Sequence, residues 1–376
     1  HLLIVHACGS TDPSRSHFDA QRFMEVGKPA DATLFTGWLG RHLLSTTPLN
    51  PASVLRAVGI SYGLQRTLVG SPLALPIPDL DLFGLGGNPA STATRRIVLD
   101  DMYDLVADPL QAAASTTQAT IDLLNTIDFA GYVPAGGADY APAAAFGYSL
   151  KTTAALIKAD VGVEAVAIDL GGWDTHNAQG PITGTMATLM NYLATGLAAF
   201  HTDVLTAGNG RNVTVVVLSE FGRRPAENGN FGTDHGHGNA MLVLGNHVAG
   251  GRVLRIWPGL GPGQLFEGLD LDVTIDFRDI LAEIVKYRLG NPDLASVFPD
   301  FTPTLRGVTP VCLGDLNCDG ALDDADAGAM AAALVDPAAY QAAYPSCNVN
   351  RADVNLDGSI DSGDLPPFLQ SLNLGP

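Results

Sequence analysis

The chain is short of positive charge. Twenty lysines and arginines stand against 39 acidic residues, a formal net charge of −19. That balance argues against nucleic acid as a partner, because binding its backbone requires clustered Lys and Arg. Long apolar runs are missing too: no stretch of about 18 apolar residues occurs, so no membrane span is predicted. Cysteine is sparse, with Cys8 alone and Cys312, Cys318 and Cys347 grouped near the end. Three clustered cysteines are odd for a disulfide framework, and they lack the CxxC spacing of a structural zinc site. An oxidising compartment would let Cys312 pair with Cys318 or Cys347, and the sequence does not choose. No methionine opens the chain. It begins as HLLIVHACG, which reads as a buried strand, so the natural beginning and any export signal are expected ahead of His1.

What is present describes a globular protein with a tail of a different kind. The composition is 46% hydrophobic and 16% charged over 376 residues, more than one ordinary core, so two domains are expected. Residues 311–376 hold ten Asp and one Arg, about half of the excess negative charge in a sixth of the chain. Within this tail, DLNCDGALDDAD (315–326) and DVNLDGSIDSGD (353–364) match at positions 1, 3, 5, 6, 9 and 12. The side-chain oxygens belong to Asp315, Asn317, Asp319, Asp323 and Asp326, and to Asp353, Asn355, Asp357, Asp361 and Asp364. The carbonyls of Ala321 and Ser359 add one oxygen each, and Gly320 and Gly358 stand where the loop must turn sharply. Six or seven hard oxygens at this spacing suit Ca²⁺, so two calcium ions are expected. A solvated acidic linker would not repeat in phase.

Each loop precedes a short apolar helix, AGAMAAALV or LPPFLQSLN. This duplicated loop–helix unit, with Asp rather than Glu at position 12, resembles a type I dockerin over residues 312–374. The resemblance implies a small all-α, EF-hand-like, calcium-folded module and a cohesin-like partner. Loop positions 10 and 11, where dockerins often read their partners, are Asp324–Ala325 and Ser362–Gly363, unlike the familiar Ser-Thr pair.

In residues 1–305 apolar strands alternate with helical patterns. Strands are expected at LLIVHAC, VEAVAIDL, VTVVVLS, AMLVLG and VLRIW, with VTVVVLS central. Helices are expected at FDAQRFMEVG, at about 96–107, 114–129, 143–159 and 183–206, and at DFRDILAEIVKYRLG. The stretch 50–95, rich in Pro, Gly and Leu, reads as irregular or hairpin structure. The fold class is α/β, a sheet covered by helices on both faces. Ligands gather beyond the carboxyl ends of such strands, and polar clusters fall there. GSTDPSRSHF carries Asp12, Ser14, Arg15, Ser16 and His17; GGWDTH carries Asp174 and His176. EFGRR carries Glu220, Arg223 and Arg224, and TDHGHGN carries Asp234, His235 and His237. Singly each reads as a turn or helix cap; together they point to a site. Mixed Asp, Glu and His ligands suit Zn²⁺ or Mn²⁺. Ser16 opens a helix, where N–H groups and the dipole stabilise an anion. A metal-activated hydroxyl there suits attack on a phosphate or sulfate ester, with arginines neutralising the transition state. His1, His6, His42, His201 and His247 read as structural or surface histidines. Trp38, Trp173 and Trp257 read as core or pocket-rim residues.

RSHFDAQRFMEVG, TGWLGRHL, LGGWDTHNAQ, LSEFGRRPAENGNFGTDHGHGNAMLVLG and GGRVLRIWPGL resemble the domain of unknown function 1501. That family of exported bacterial proteins is grouped with the alkaline phosphatase and sulfatase superfamily. The resemblance implies an alkaline-phosphatase-like sheet and a two-metal site. Asp174 and His176 would bind one metal with His235 or His237. Glu220 would bind the second, Phe221 standing in place of a histidine. Ser16 is the candidate nucleophile, and His17 and Arg223 complete the catalytic candidates. Family members usually begin with a strand ending in a glycine-rich, aspartate-bearing turn, and that segment is expected ahead of His1. The domains expected are 1–305, a linker 306–311, and 312–376. The expected function is that of an exported metal-dependent hydrolase of phosphate or sulfate esters. Its substrate would be a small anionic ester or sulfated glycan, in the setting of polysaccharide degradation. The alternative is a non-catalytic exported scaffold with a calcium-dependent docking tail.

Overall fold

The computed structural model describes residues 1–207, 212–309, 313–317, 321–344, 347, 349–355 and 359–373. The first half runs β1 (Leu2–Gly9), α1 (His17–Val26), α2 (Trp38–Ser45), β2 (Ala57–Ile60), β3 (Ala74–Pro76), α3 (Thr92–Tyr103), α4 (Leu110–Leu124), α5 (Ala144–Ala159) and β4 (Ala165–Ile168). Then come α6 (Thr185–Phe200), β5 (Thr214–Val217), β6 (Arg223–Glu227), β7 (Thr233–His235), β8 (Asn239–Gly245), β9 (Arg252–Leu254) and β10 (Ile275–Asp276). The chain closes with α7 (Phe277–Tyr287), α8 (Leu294–Val297), α9 (Asp326–Val335), α10 (Pro337–Ala343) and α11 (Leu365–Asn373). The protein is mixed α/β. It divides into two compact units, 1–11 with 214–222 and 238–376, and 12–213 with 223–237.

The second of these units is built on a parallel sheet of order β3–β2–β4. Alternation along β2 buries both of its faces. Ala57 packs with Leu43 and Leu68 on one side. Val58 packs with Leu124, Ala155 and Leu156, from α4 and α5, on the other. The Arg56 guanidinium, 1% exposed, donates from Nε and Nη2 to the two Glu164 carboxylate oxygens at 2.7 and 2.9 Å. That pair clamps the starts of β2 and β4, which register Ala57 against Ala165. The stretch 50–95 is therefore not a hairpin: it holds the central and one outer strand of a parallel sheet. At four and three residues, β2 and β3 are too short for a periodic signal among prolines and glycines.

The other unit carries a mixed sheet of order β10–β1–β8–β5, with β9 also beside β1. Leu3 and Val5 of β1 are fully buried, as its apolar run predicts. The expected central place of VTVVVLS is corrected, because β5 pairs with β8 alone among the described residues. Its β-branched residues favour an extended backbone wherever the strand sits laterally. α7 follows the predicted amphipathic pattern: Asp276 caps it by accepting from Arg278 N, and Phe277, Ile280, Leu281, Ile284 and Val285 are buried.

The expected linker is tied down where it is described. Arg306 N donates to Glu283 Oε2 at 2.7 Å, and Thr309 N to Glu283 Oε1 at 2.9 Å. Beyond it α9 and α11 follow the two acidic loops as expected, and α10 is an addition. Tyr340 of α10 fills the tail's own core with Leu316, Met330, Ala333 and Phe368.

Candidate metal centre

Three segments of the second unit, 12–213 with 223–237, bring their polar side chains together. The segment after β4 carries Asp174 and His176. The β6–β7 hairpin carries Arg223, Asp234 and His235, and the start of α1 carries His17. Close backbone approach makes this meeting possible. A Cβ on Gly232 would lie 2.3 Å from the His176 carbonyl carbon and oxygen, and one on Gly236 would lie 2.7 Å from the Arg223 carbonyl carbon. Only glycine permits the hairpin to lie this near, which is the role of the glycines fencing the histidines.

Asp174 is the hub. Its Oδ1 accepts from Arg223 Nη1 at 2.7 Å and lies 2.8 Å from His235 Nε2 and 2.9 Å from His176 Nε2. Its Oδ2 lies 3.5 Å from His17 Nε2. Partial burial works to raise the Asp174 carboxyl; the Arg223 guanidinium and the His235 and His176 rings outweigh it and hold the group well below the usual carboxylate range. Asp234 is likewise lowered, by the Asn228 amide and by His176.

The outer nitrogen of each ring faces an acceptor. His235 Nδ1 lies 2.7 Å from the Arg15 carbonyl oxygen, which can only accept, so Nδ1 carries hydrogen. His176 Nδ1 lies 3.0 Å from Asp234 Oδ1, an ionised carboxylate, so it too carries hydrogen. The two Nε2 atoms face each other at 3.0 Å, and both face Asp174 Oδ1. A proton shared among these three atoms, or a metal ion bound by them, would hold such a cluster together. An Nδ1–H held by a carboxylate or carbonyl, with Nε2 turned inward, is how metal-ligating histidines are oriented. Around a tetrahedral zinc with bonds near 2.0–2.1 Å, ligand atoms stand about 3.3 Å apart, so the cluster would open by a few tenths of an ångström. His17, Asp174 and His235 each offer a ligand atom within 4.8 Å of one another, the grouping among the described residues able to hold a metal ion.

The other predicted site residues have contacts of their own. Ser16 is the N-cap of α1, its hydroxyl accepting from Asp19 N at 3.4 Å. Arg223 is committed to Asp174 and, through Nε, to Thr233 Oγ1 at 3.2 Å. These contacts anchor the hub. His237 is buried, 6% exposed; neither it nor His176 is in that grouping, but His176 Nε2 meets both Asp174 Oδ1 and His235 Nε2. Glu220 belongs to the other unit, beyond β5, where Ser219 Oγ donates to its Oε2 at 2.8 Å. Phe221 is a buried residue of that unit. The side chains that sequence reasoning missed are Asn228 and Gln179. Asn228 Nδ2 donates to Asp234 Oδ1 at 2.9 Å, and Gln179 Oε1 accepts from the Thr175 and Thr233 hydroxyls at 3.1 and 2.7 Å. The Asn-Gly pair at 228–229 signals a turn, but nothing local says that its amide reaches a carboxylate.

The two acidic loops repeat one hydrogen-bond scheme. Asn317 N and Asp323 N donate to Asp326 Oδ1 and Oδ2, each at 3.0 Å. Asn355 N and Asp361 N donate to Asp364 Oδ1 and Oδ2 at 3.0 and 2.9 Å. Asp315, Asp326 and Asp364 are fully buried, and Arg351 Nη1 donates to Asp315 Oδ2 at 3.1 Å. Asp353, Ala321 and Ser359 are described; Asp319, Asp357, Cys312 and Cys318 lie outside the described residues. Cys347 is disulfide-bonded and Cys8 is free and buried.

Fold and site together define a mixed α/β protein with a histidine–aspartate cluster suited to a divalent cation. The family described as "Protein of unknown function (DUF1501)" matches residues 99–288, half of the chain, and the protein belongs to it. The match includes Asp174, His176, Arg223 and His235, and leaves out His17 and the acidic tail. No curated protein and no solved structure matches the chain.

Proposed function

We propose that the protein is an exported metal-dependent hydrolase of phosphate or sulfate esters. In this reading its fold is that of the alkaline phosphatase and sulfatase superfamily, and its tail is a dockerin-like calcium module. The observation that carries the reading is the convergence of His176 Nε2, His235 Nε2 and Asp174 Oδ1 within 3.0 Å of one another. Zn²⁺ or Mn²⁺ is held there by Asp174, His176 and His235, with His17 facing the same carboxylate. The bound cation supplies Lewis-acid polarisation of the ester. Asp234 and the Arg15 carbonyl fix the imidazoles, and Arg223 keeps Asp174 in place. Ser16 supplies the attacking hydroxyl. It stands between Arg15, whose carbonyl meets His235, and His17, which meets Asp174. The N-terminus of α1 there favours an anionic group.

The duplicated scheme around Asp326 and Asp364 supports two calcium loops. A cohesin-like protein is the partner this tail would take, and a small anionic ester or sulfated glycan the substrate, in polysaccharide degradation. The commitment of Arg223 to Asp174 favours a second reading, a hydrolase-like fold serving as a binding scaffold. The full-length protein, assayed for metal content and against aryl phosphates and sulfates with Zn²⁺ and Mn²⁺, separates the two. The hydrolase reading expects about one transition metal per chain at the cluster and ester cleavage that Asp174→Ala reduces by at least about 100-fold. Metal-free protein that cleaves no ester, or activity surviving Asp174→Ala, overturns it.

A further inference from the structure

We infer that Asn228 is a positioning residue for the candidate metal ligand His176, acting through Asp234. The inference rests on the reading of the cluster as a metal centre and adds a layer behind it. Asn228 is the first residue after β6, in the turn that leads to β7. All four hydrogen-bonding positions of its amide are used. The oxygen accepts from Asn230 N at 2.9 Å and Gly232 N at 3.1 Å, closing the turn. The nitrogen donates to the His176 carbonyl at 3.0 Å and to Asp234 Oδ1 at 2.9 Å.

The same Asp234 oxygen accepts the His176 Nδ1 hydrogen at 3.0 Å. One amide thus grips the backbone of the ligand residue and the carboxylate that orients its ring. Asn is the side chain this position needs. Two backbone N–H groups require an acceptor on one end, while a carbonyl and an ionised carboxylate require a donor on the other. Asp would satisfy the first end and repel at the second. Gly232, where a Cβ would strike the His176 backbone, keeps the turn close enough for both contacts.

The isosteric variant separates turn from relay. Asn228→Asp retains the acceptor for Asn230 N and Gly232 N and removes the donor to Asp234. Titration of the full-length protein with Zn²⁺ against a chelator, and with Co²⁺ followed by its visible spectrum, is expected to show binding weakened about 10- to 100-fold. Thermal unfolding of the metal-free variant is expected to show a cooperative transition at a somewhat lower midpoint, because the new carboxylate faces Asp234 and the His176 carbonyl. In an Asp234→Asn background the further loss from Asn228→Asp is expected to fall below about threefold, since the two act on one contact. Nitrogen-15 spectra of histidine-labelled, metal-free protein give a readout without metal: the His176 Nδ1 resonance is expected to shift in the variant, because its hydrogen bond to Asp234 changes. If wild type binds Zn²⁺ and Asn228→Asp binds it equally well with the His176 Nδ1 resonance unchanged, the inference is overturned while the metal centre stands. If wild type binds neither Zn²⁺ nor Co²⁺, the metal reading itself falls and takes the inference with it.

Discussion

At Asp174 one carboxylate oxygen meets a guanidinium and two imidazole nitrogens. The types of these residues were legible in the sequence; their roles were not. His17 rather than Ser16 faces the carboxylate, because the first turn of α1 uses the serine hydroxyl as its cap and turns the next side chain outward. His42 provides a test at this scale with no bearing on the site. It is 3% exposed, and burial lowers its pKa from 6.5 to about 4, with the charge of Arg56 also lowering it and that of Glu164 opposing. The folded protein keeps this ring neutral until about pH 4, while the unfolded chain charges it below about 6.5. Its contribution to stability is therefore flat above pH 6.5 and is lost as pH falls from there toward 4, by up to about 3 kcal/mol. Denaturant unfolding of wild type and His42→Gln across that window reads it directly. The variant is expected to lose the steeper slope, and equal slopes would contradict the assignment.

Helices were the more legible elements. α1 and α7 carry local caps at Ser16 and Asp276 and an apolar face that repeats with the helical period, so each is visible within its own dozen residues. The short strands were not. β2 is central because β3 and β4 arrive on either side of it, and β4 lies more than a hundred residues further along the chain. The Arg56–Glu164 pair secures that pairing, with Arg56 Nη1 also donating to the Leu43 carbonyl at 2.5 Å. Removing one partner leaves a buried charge uncompensated, so Arg56→Ala or Glu164→Ala is expected to cost about 3–5 kcal/mol. An apolar replacement of both, Arg56→Met with Glu164→Leu, is expected to cost much less than two single losses. Equilibrium unfolding of the three variants checks it; a double variant as unstable as the summed singles would refute the pairing.

At the scale of the molecule, the acidic tail is the part whose effect on the whole is easiest to probe. Asp315 is fully buried and pairs with Arg351, whose guanidinium lies 4.5 Å from the centre of the Tyr287 ring at the end of α7. On the proposed calcium reading, ions in the two loops stabilise packing against that helix as well as within the tail. Millimolar Ca²⁺ is expected to raise the unfolding midpoint of the full chain by several degrees, and chelation to reverse it. Asp326→Asn and Asp364→Asn are each expected to reduce calcium bound at saturation from about two ions to about one. Calorimetric titration decides this, and unchanged stoichiometry in both variants would remove those residues from the loops.

By itself the sequence determined the acidic duplication, the helix caps, the apolar strand β1 and the residue types from which a metal cluster can be made. Each of these rests on spacing and chemistry within stretches of about a dozen positions, the duplication being two such stretches compared. Only the tertiary structure decided that Arg223 anchors Asp174, that β5 pairs with β8 alone among the described residues and that Asn228 stands behind Asp234. It also decided the partner of His235 Nδ1, the Arg15 carbonyl 220 positions away. Such a meeting depends on how strands and hairpins pack, and on glycines that let backbones touch. Local spacing carries no record of it.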